Sequence, residues 1–280
     1  TSGCLCKGGC KYNFNFAICK QNVQKKVICL ICFFDLCTMN LIIDAGNTSV
    51  KLAVFDRNNL IFYQNTDAES MPRLVKEICD HYPKISHSIV SSVGHLDKKV
   101  IAVMAVFCTV HELTPSSKTP YKNSYATAQT LGVDRMALAT AAFYHNPKAN
   151  TLVVDAGTCV TYEMVNDYAE YLGGAISPGL NMRYKSLNAQ TAKLPLLKPK
   201  MPFDFIGNST ANSIHSGVVN GLCHEIDGVI NQYKSRFVDL TVILTGGDAP
   251  FLSKRLKNTI FADSKFLLKG LNYLLEYNKH

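Results

Sequence analysis

Apolar and polar positions come in short blocks that read as strands and helices in turn. Leu41-Ile42-Ile43 runs into Asp44-Ala45-Gly46-Asn47-Thr48-Ser49, and Val50 to Val54 is apolar again apart from Lys51. That pattern predicts a strand, a tight polar turn and a returning strand, within a hairpin or meander from Met39 to about Phe62. A helix is expected over Met71–His81 with Pro72 in its first turn. Ile85 to Val93 alternates as a strand, and His95 to Cys108 starts as helix and finishes as strand. His111 to Thr130 is loop-rich, and the Ala-rich run behind Gly132-Val133-Asp134-Arg135 reads as a buried helix.

The opening pattern returns 111 residues later, where Leu152-Val153-Val154 leads into Asp155-Ala156-Gly157-Thr158 and a strand reaching about Tyr168. Tyr171 to Gly179 holds two glycines and a Pro-Gly. It is either a backbone approached closely by something or a plain strand-to-helix loop. Residues 180–191 look helical, and Lys193 to Pro202 is a basic, proline-containing loop. A helix from Ser213 to about Ser235 carries Gly217, Gly221 and Gly228, which would allow close packing. Thr241-Val242-Ile243-Leu244 is a buried strand entering Thr245-Gly246-Gly247-Asp248, whose glycines suit a backbone lying against a flat ring or sugar. A helix at Pro250–Lys257, a short strand near Phe261 and an amphipathic helix at Phe266–Tyr277 close the chain.

The chemistry sits at the turns. Asp44 stands at the mouth of a strand, Gly46 leaves room for close approach, Asn47, Thr48 and the turn amides offer donors, and Lys51 adds a positive charge. A carboxylate to manage a cation, with donors around it, suits a nucleoside triphosphate. One Asp-x-Gly turn is ordinary punctuation, but two copies with matching strands suggest a duplicated domain whose turns face each other across a cleft. Asp134 alone reads as a helix-capping acid. Arg135 is less expected in a first turn, and needs an anionic partner: an internal acid, or a ligand carboxylate or phosphate.

Composition narrows the class. Hydrophobic residues make up 47% of the 280 and charged residues 18%, which is globular rather than disordered. The net charge is +8, half of it from residues 1–38. Elsewhere basic residues are scattered, so no nucleic-acid or membrane partner is expected, while an anionic substrate is. Seven cysteines precede Met39; Cys79, Cys108, Cys159 and Cys223 have no pairing rhythm and read as reduced thiols of a cytoplasmic protein. Cys29-x-x-Cys32 has no matching second pair and no local His, so zinc is set aside. The apolar run Val27–Phe34 is too short to span a bilayer and has no cleavage site behind it. Residues 1–38 are expected to be an extension outside the fold, disordered or left by a misplaced start.

There is no G-x-x-x-x-G-K-[ST] loop, no strand-following G-x-G-x-x-G and no protein-kinase signature. Two lobes with two Asp-x-Gly turns, a Gly-rich segment and a late strand running into Gly-Gly resemble the superfamily of acetate kinase, sugar kinases, heat-shock chaperones and actin. More closely, Met39 onward resembles the type III pantothenate kinases. The matches are Asp44-x-Gly46-Asn47-Thr48-x-x-Lys51, Gly132-x-Asp134-Arg135, Asp155-x-Gly157-Thr158, Gly173-Gly174-x-Ile176-x-Pro178-Gly179, Gly207-x-x-Thr210 and Thr245-Gly246-Gly247-Asp248. Gly-x-Asp-Arg between the two turns is the specific mark.

The resemblance implies an α/β chain of duplicated ribonuclease H-like, actin-like ATPase domains, with mixed sheets flanked by helices and lobes at 39–150 and 151–280. It implies ATP-dependent phosphorylation of pantothenate to 4'-phosphopantothenate, the first step of coenzyme A biosynthesis. Asp44, Ala45, Gly46, Asn47, Thr48, Ser49, Val50 and Lys51 would hold the ATP phosphates, and Thr158 would contact ATP. Tyr125, Gly132, Val133, Asp134, Arg135 and Thr210 would bind pantothenate, with Asp134 as general base. Asp155 would ligate a monovalent cation, potassium or ammonium. Magnesium would accompany ATP, Thr245 to Asp248 would border the adenosine, and a homodimer would share the substrate site. Two positions depart from the family: Ala128 stands where a proline is usual, and Cys159 where an alanine is. The rival readings are another small-molecule kinase of the superfamily and a non-catalytic nucleotide-binding regulator.

Overall fold

A computed structural model describes residues 38–46, 49–92 and 98–279. The thiols of the first 37 residues, the apolar run Val27–Phe34, and Asn47 and Thr48 of the first turn lie outside the described residues. The first sheet is a meander with parallel additions. Strands β1 (Met39–Ala45), β2 (Val50–Asp56) and β3 (Asn59–Thr66) run antiparallel, and β4 (Ile85–Ser92) and β5 (Thr109–Glu112) add in parallel, giving the order β3-β2-β1-β4-β5. Helix α1 (Met71–His81) forms over the expected residues. Pro72 suits its first turn, and Met71, Val75, Ile78 and Cys79 share one buried face. Helix α2 (Lys98–Ala105) follows β4.

The second sheet repeats the design. Strands β7 (Thr151–Ala156), β8 (Cys159–Val165) and β9 (Glu170–Pro178) run antiparallel, β10 (Thr241–Thr245) and β11 (Phe261–Ala262) lie parallel beyond β7, and β6 (Lys122–Asn123) pairs with β9. The order is β11-β10-β7-β8-β9-β6. The expected mixed α/β class with two mixed sheets flanked by helices is therefore what the chain adopts. Of the two readings of the Gly/Pro-rich segment, the plain loop fails and the close approach holds: it is strand β9, paired with β8 from Cys159↔Pro178 to Val165↔Tyr171, and a Cβ on Gly174 would lie 1.7 Å from the Tyr162 carbonyl. The helix expected over Pro250–Lys257 is only the short α7 (Ala249–Leu252).

Between the sheets lie α3 (Val133–His145) and the C-terminal α8 (Phe266–Asn278). One apolar cluster joins Ile42, Ala53 and Ile89 of the first sheet to Val153, Val165 and Ile243 of the second through these helices. The outer face of the first sheet is closed by α1 and α2. The outer face of the second packs against α4 (Leu180–Ala189), α5 (Thr210–His215), a π-helical turn (Ser216–Asn220), α6 (Gly221–Arg236) and α7. Gly217, Gly221 and Gly228, expected to permit a close helix or subunit contact, make no close packing within this chain: a Cβ on any of them would meet nothing within 4 Å. Asn40 of β1 donates to Asn272 of α8 at 2.7 Å and to Glu276 at 2.6 Å, which ties the end of the chain to its first strand.

Candidate active site

Strand register decides what faces the space between the sheets. On β1, Ile42 points into the central cluster, so Asp44, two residues on, points the same way. Lys51 is its direct partner across β2, and Lys51 Nζ lies 2.8 Å from Asp44 Oδ2. On β7, Val153 is central and Asp155 follows on the same face, with Thr161 opposite on β8 and Thr245 beside it on β10. The N-terminus of α3 enters between them with Asp134 and Arg135 in its first turn.

These groups feel one another. Burial raises the Asp134 carboxyl above its usual value and the Asp44 charge adds to that, against an opposing bond from the Arg135 amide. Asp155 is pushed up to about 7, first by burial and then by the charges of Asp134, Asp44 and Glu163, with Lys51 opposing. Lys51 is held above the ordinary lysine value: burial works against the ammonium, but Asp44 and Asp155 outweigh it. The structure thus brings Asp44, Lys51, Asp134 and Asp155 together from four elements.

The turns around them are built tightly. The Gly46 amide donates to the Ser49 carbonyl at 3.2 Å, while Ala45 and Val50 bury their side chains in the outer core and can reach a ligand only through backbone. In the second turn the Gly157 amide donates to Cys159 at 2.9 Å, the Gly179 amide to Thr158 at 3.2 Å and the Asp248 amide to Ala156 at 2.9 Å. Thr158 itself is exposed. Gly246 is needed by the protein itself: its φ is +95°, and a Cβ there would lie 2.3 Å from the Ala156 carbonyl and 2.4 Å from Asp155 Oδ1. Gly247 has open space around it. At Gly132, the N-cap of α3, a Cβ would lie 2.5 Å from Asp134 Oδ1, so the glycine leaves room for the acid.

Arg135 finds the internal acid that its awkward position demanded. Its Nε donates to Glu163 Oε1 at 2.8 Å and its Nη1 to the Tyr125 hydroxyl at 3.4 Å, and the guanidinium lies 5.3 Å from the Tyr125 ring centre. The Tyr171 hydroxyl takes the other Glu163 oxygen at 2.6 Å. Sequence reasoning missed Glu163 and Tyr171. The one signal was an acid between apolar Tyr162 and Met164 in a strand. Val133 is buried in the central core, and Thr210 opens α5 on the exposed surface, with no hydrogen bond to Tyr125, Asp134 or Arg135 among the described residues. Ala128, one of the two departures from the family pattern, begins a 3-10 turn over Ala128–Thr130.

A family model described as Type III pantothenate kinase matches residues 40–232. The chain belongs to the type III pantothenate kinase family. Among curated relatives carrying that name, the one from Flavobacterium johnsoniae is 47% identical over 239 residues, covering 85% of this chain and 98% of the relative. The one from Christiangramia forsetii is 48% identical over 245 residues, covering 86% and 99%. A solved structure from Campylobacter jejuni, described as a Baf family transcriptional activator, superposes with a TM-score of 0.58 at 20% identity over 85% of this chain and 98% of its own. That likeness shows the shared fold alone. Among the described residues, no helix is long and apolar enough to cross a membrane.

The donor set at Asp155 fits a hard cation. Its carboxylate accepts no hydrogen bond among the described residues, and it shares with the Ala156 carbonyl the space that a Cβ on Gly246 would fill. No three His, Cys, Asp or Glu side chains among the described residues form a metal cage, so carbonyl, water or phosphate oxygens would have to complete the shell.

Proposed function

We propose that this chain transfers a phosphoryl group from ATP to the hydroxyl of pantothenate. The observation that carries the reading is the meeting of Asp134 with both Asp-x-Gly turns, close enough that Asp44, Asp134 and Asp155 act on one another's charge. Phosphoryl transfer asks the protein mainly for positioning and charge stabilisation. The first turn, from Asp44 to Lys51, holds the phosphates with magnesium among them, and Thr158 meets them from the second turn. Asp134 takes the hydroxyl proton as the new bond forms. Burial makes its carboxylate a better proton acceptor than an exposed aspartate.

Tyr125 and Gly132 to Arg135 receive the acceptor. Arg135 is already paired with Glu163, so its remaining donors take the pantothenate carboxylate. The homodimer of this reading comes from the family alone, and the exposed Thr210 is open to substrate held by a second copy. Asp155, with the Ala156 carbonyl, would hold potassium or ammonium, and the cation would add to the Lys51 charge in offsetting the acids around it. The reading places the enzyme in the cytoplasm.

ADP release by the 280-residue chain tests this directly, with ATP and magnesium, with and without pantothenate, in potassium and again in sodium. Release that needs pantothenate and is greater in potassium is expected. Release independent of any acceptor, or ATP binding with no release, overturns it.

A further inference from the structure

Arg135 and Glu163 form the ion pair most fully removed from water among the described residues, with side chains 7% and 0% exposed. Replacing such a pair by apolar residues is often neutral or stabilising, so stability alone gives little reason for it. Its geometry gives a better one. Both Glu163 oxygens are engaged, one by Arg135 Nε and one by the Tyr171 hydroxyl, which fixes the carboxylate at both ends. The Nε contact fixes the plane of the guanidinium, and Nη1 meets the Tyr125 hydroxyl. Tyr125 is itself seated on Gly173, at φ +93°, where a Cβ would come within 2.9 Å of the ring. The chain Tyr171, Glu163, Arg135, Tyr125 thus runs from the buried sheet to the acceptor loop.

We infer that Glu163 is the positioning residue that gives the acceptor site its preference for a carboxylate-bearing alcohol, by holding Arg135 so that its free edge faces the substrate. The inference rests on the pantothenate kinase reading and names how that site selects its substrate. Glu163 touches no substrate and takes no proton. Without its charge Arg135 has no fixed plane, and the fork that matches a carboxylate is lost.

The test compares the intact chain with Glu163→Gln and Tyr171→Phe, using pantothenate and pantothenol, whose carboxylate is replaced by a neutral alcohol. For Glu163→Gln the expected result is a KM for pantothenate raised roughly ten- to a hundred-fold, as for a lost charge-assisted contact. The KM for ATP should move little, and kcat/KM for pantothenol should fall far less than kcat/KM for pantothenate. Tyr171→Phe should move the same quantities less, and Glu163→Asp should recover part of the loss. If Glu163→Gln lowers kcat and melting temperature while leaving the pantothenate KM and the acceptor preference unchanged, the role is structural and the inference fails. If Glu163→Gln does not fold, an unaltered preference in Tyr171→Phe overturns it. A wild-type chain inactive with pantothenate would instead refute the kinase reading.

Discussion

The two Asp-x-Gly turns share a backbone design but differ in how their charge is met. Asp44 is 4% exposed and faces Lys51 across the β1–β2 pair, 2.8 Å away. Asp155 occupies the matching place on β7, yet the residue across β8 is Thr161, which brings no charge. The first turn therefore carries its own counter-ion. The second is braced by backbone instead, through the Gly179 and Asp248 amides, and the Lys51 charge that also reaches its aspartate is outweighed by burial and the charges of Asp134, Asp44 and Glu163. The two turns thus differ at one cross-strand position, lysine against threonine, and under the proposed reading that difference is what leaves the second turn to a cation from outside.

The largest effect is expected where the turns meet. Asp134→Asn keeps the shape of the side chain and removes both the proton acceptor and a charge felt by Asp155. Pantothenate-dependent ADP release should fall about 10²–10⁴-fold, with the melting temperature nearly unchanged. Normal turnover in the folded variant would remove Asp134 from the role of base. Next comes Lys51→Met, which makes the first turn resemble the second. Loss of a charge-assisted contact of about 1.5–3 kcal/mol should raise the KM for ATP roughly ten- to a hundred-fold and leave the KM for pantothenate in place. Equal changes in both constants would mean that Lys51 does not serve the phosphates.

Much of this contrast was legible in the chain. The repeated apolar-Asp-Ala-Gly pattern placed both turns, and Pro72 at its first turn marked the start of α1, which forms over the expected residues. Local pattern failed where tertiary packing decides. Strand β9 is rich in residues that strands avoid, and exists because β8 pairs along its length. The need of Gly246 for the backbone of the second turn is a tertiary contact that local pattern did not reveal. The mate of Arg135 lies 28 positions away, and only the fold brings Glu163 under it.

Thr161→Lys sharpens the comparison by giving the second turn what the first already has. A lysine there stands to Asp155 as Lys51 stands to Asp44, so its ammonium should occupy the cation's place. The expected outcome is pantothenate-dependent ADP release that no longer distinguishes potassium from sodium. A variant that folds and keeps the wild-type preference would show that the monovalent cation acts elsewhere.

The smallest effect concerns stability and pH. Asp155 has its carboxyl raised from 3.8 to about 7 in the folded chain. Between those values the folded state holds a proton that the unfolded state has lost, so this group's contribution to stability falls as pH rises through the window and is level above it. Asparagine mimics the protonated acid and escapes that loss. Melting curves in a buffer free of potassium and ammonium should therefore show Asp155→Asn above wild type by a few degrees at pH 8, since about 1 kcal/mol shifts Tm by roughly 2–4 °C at this size. The two curves should converge near pH 4. Potassium at pH 8 should raise wild type toward the variant and leave the variant unmoved. The same offset at every pH would mean that Asp155 titrates as an ordinary aspartate, and the second turn would then be no more in need of a cation than the first.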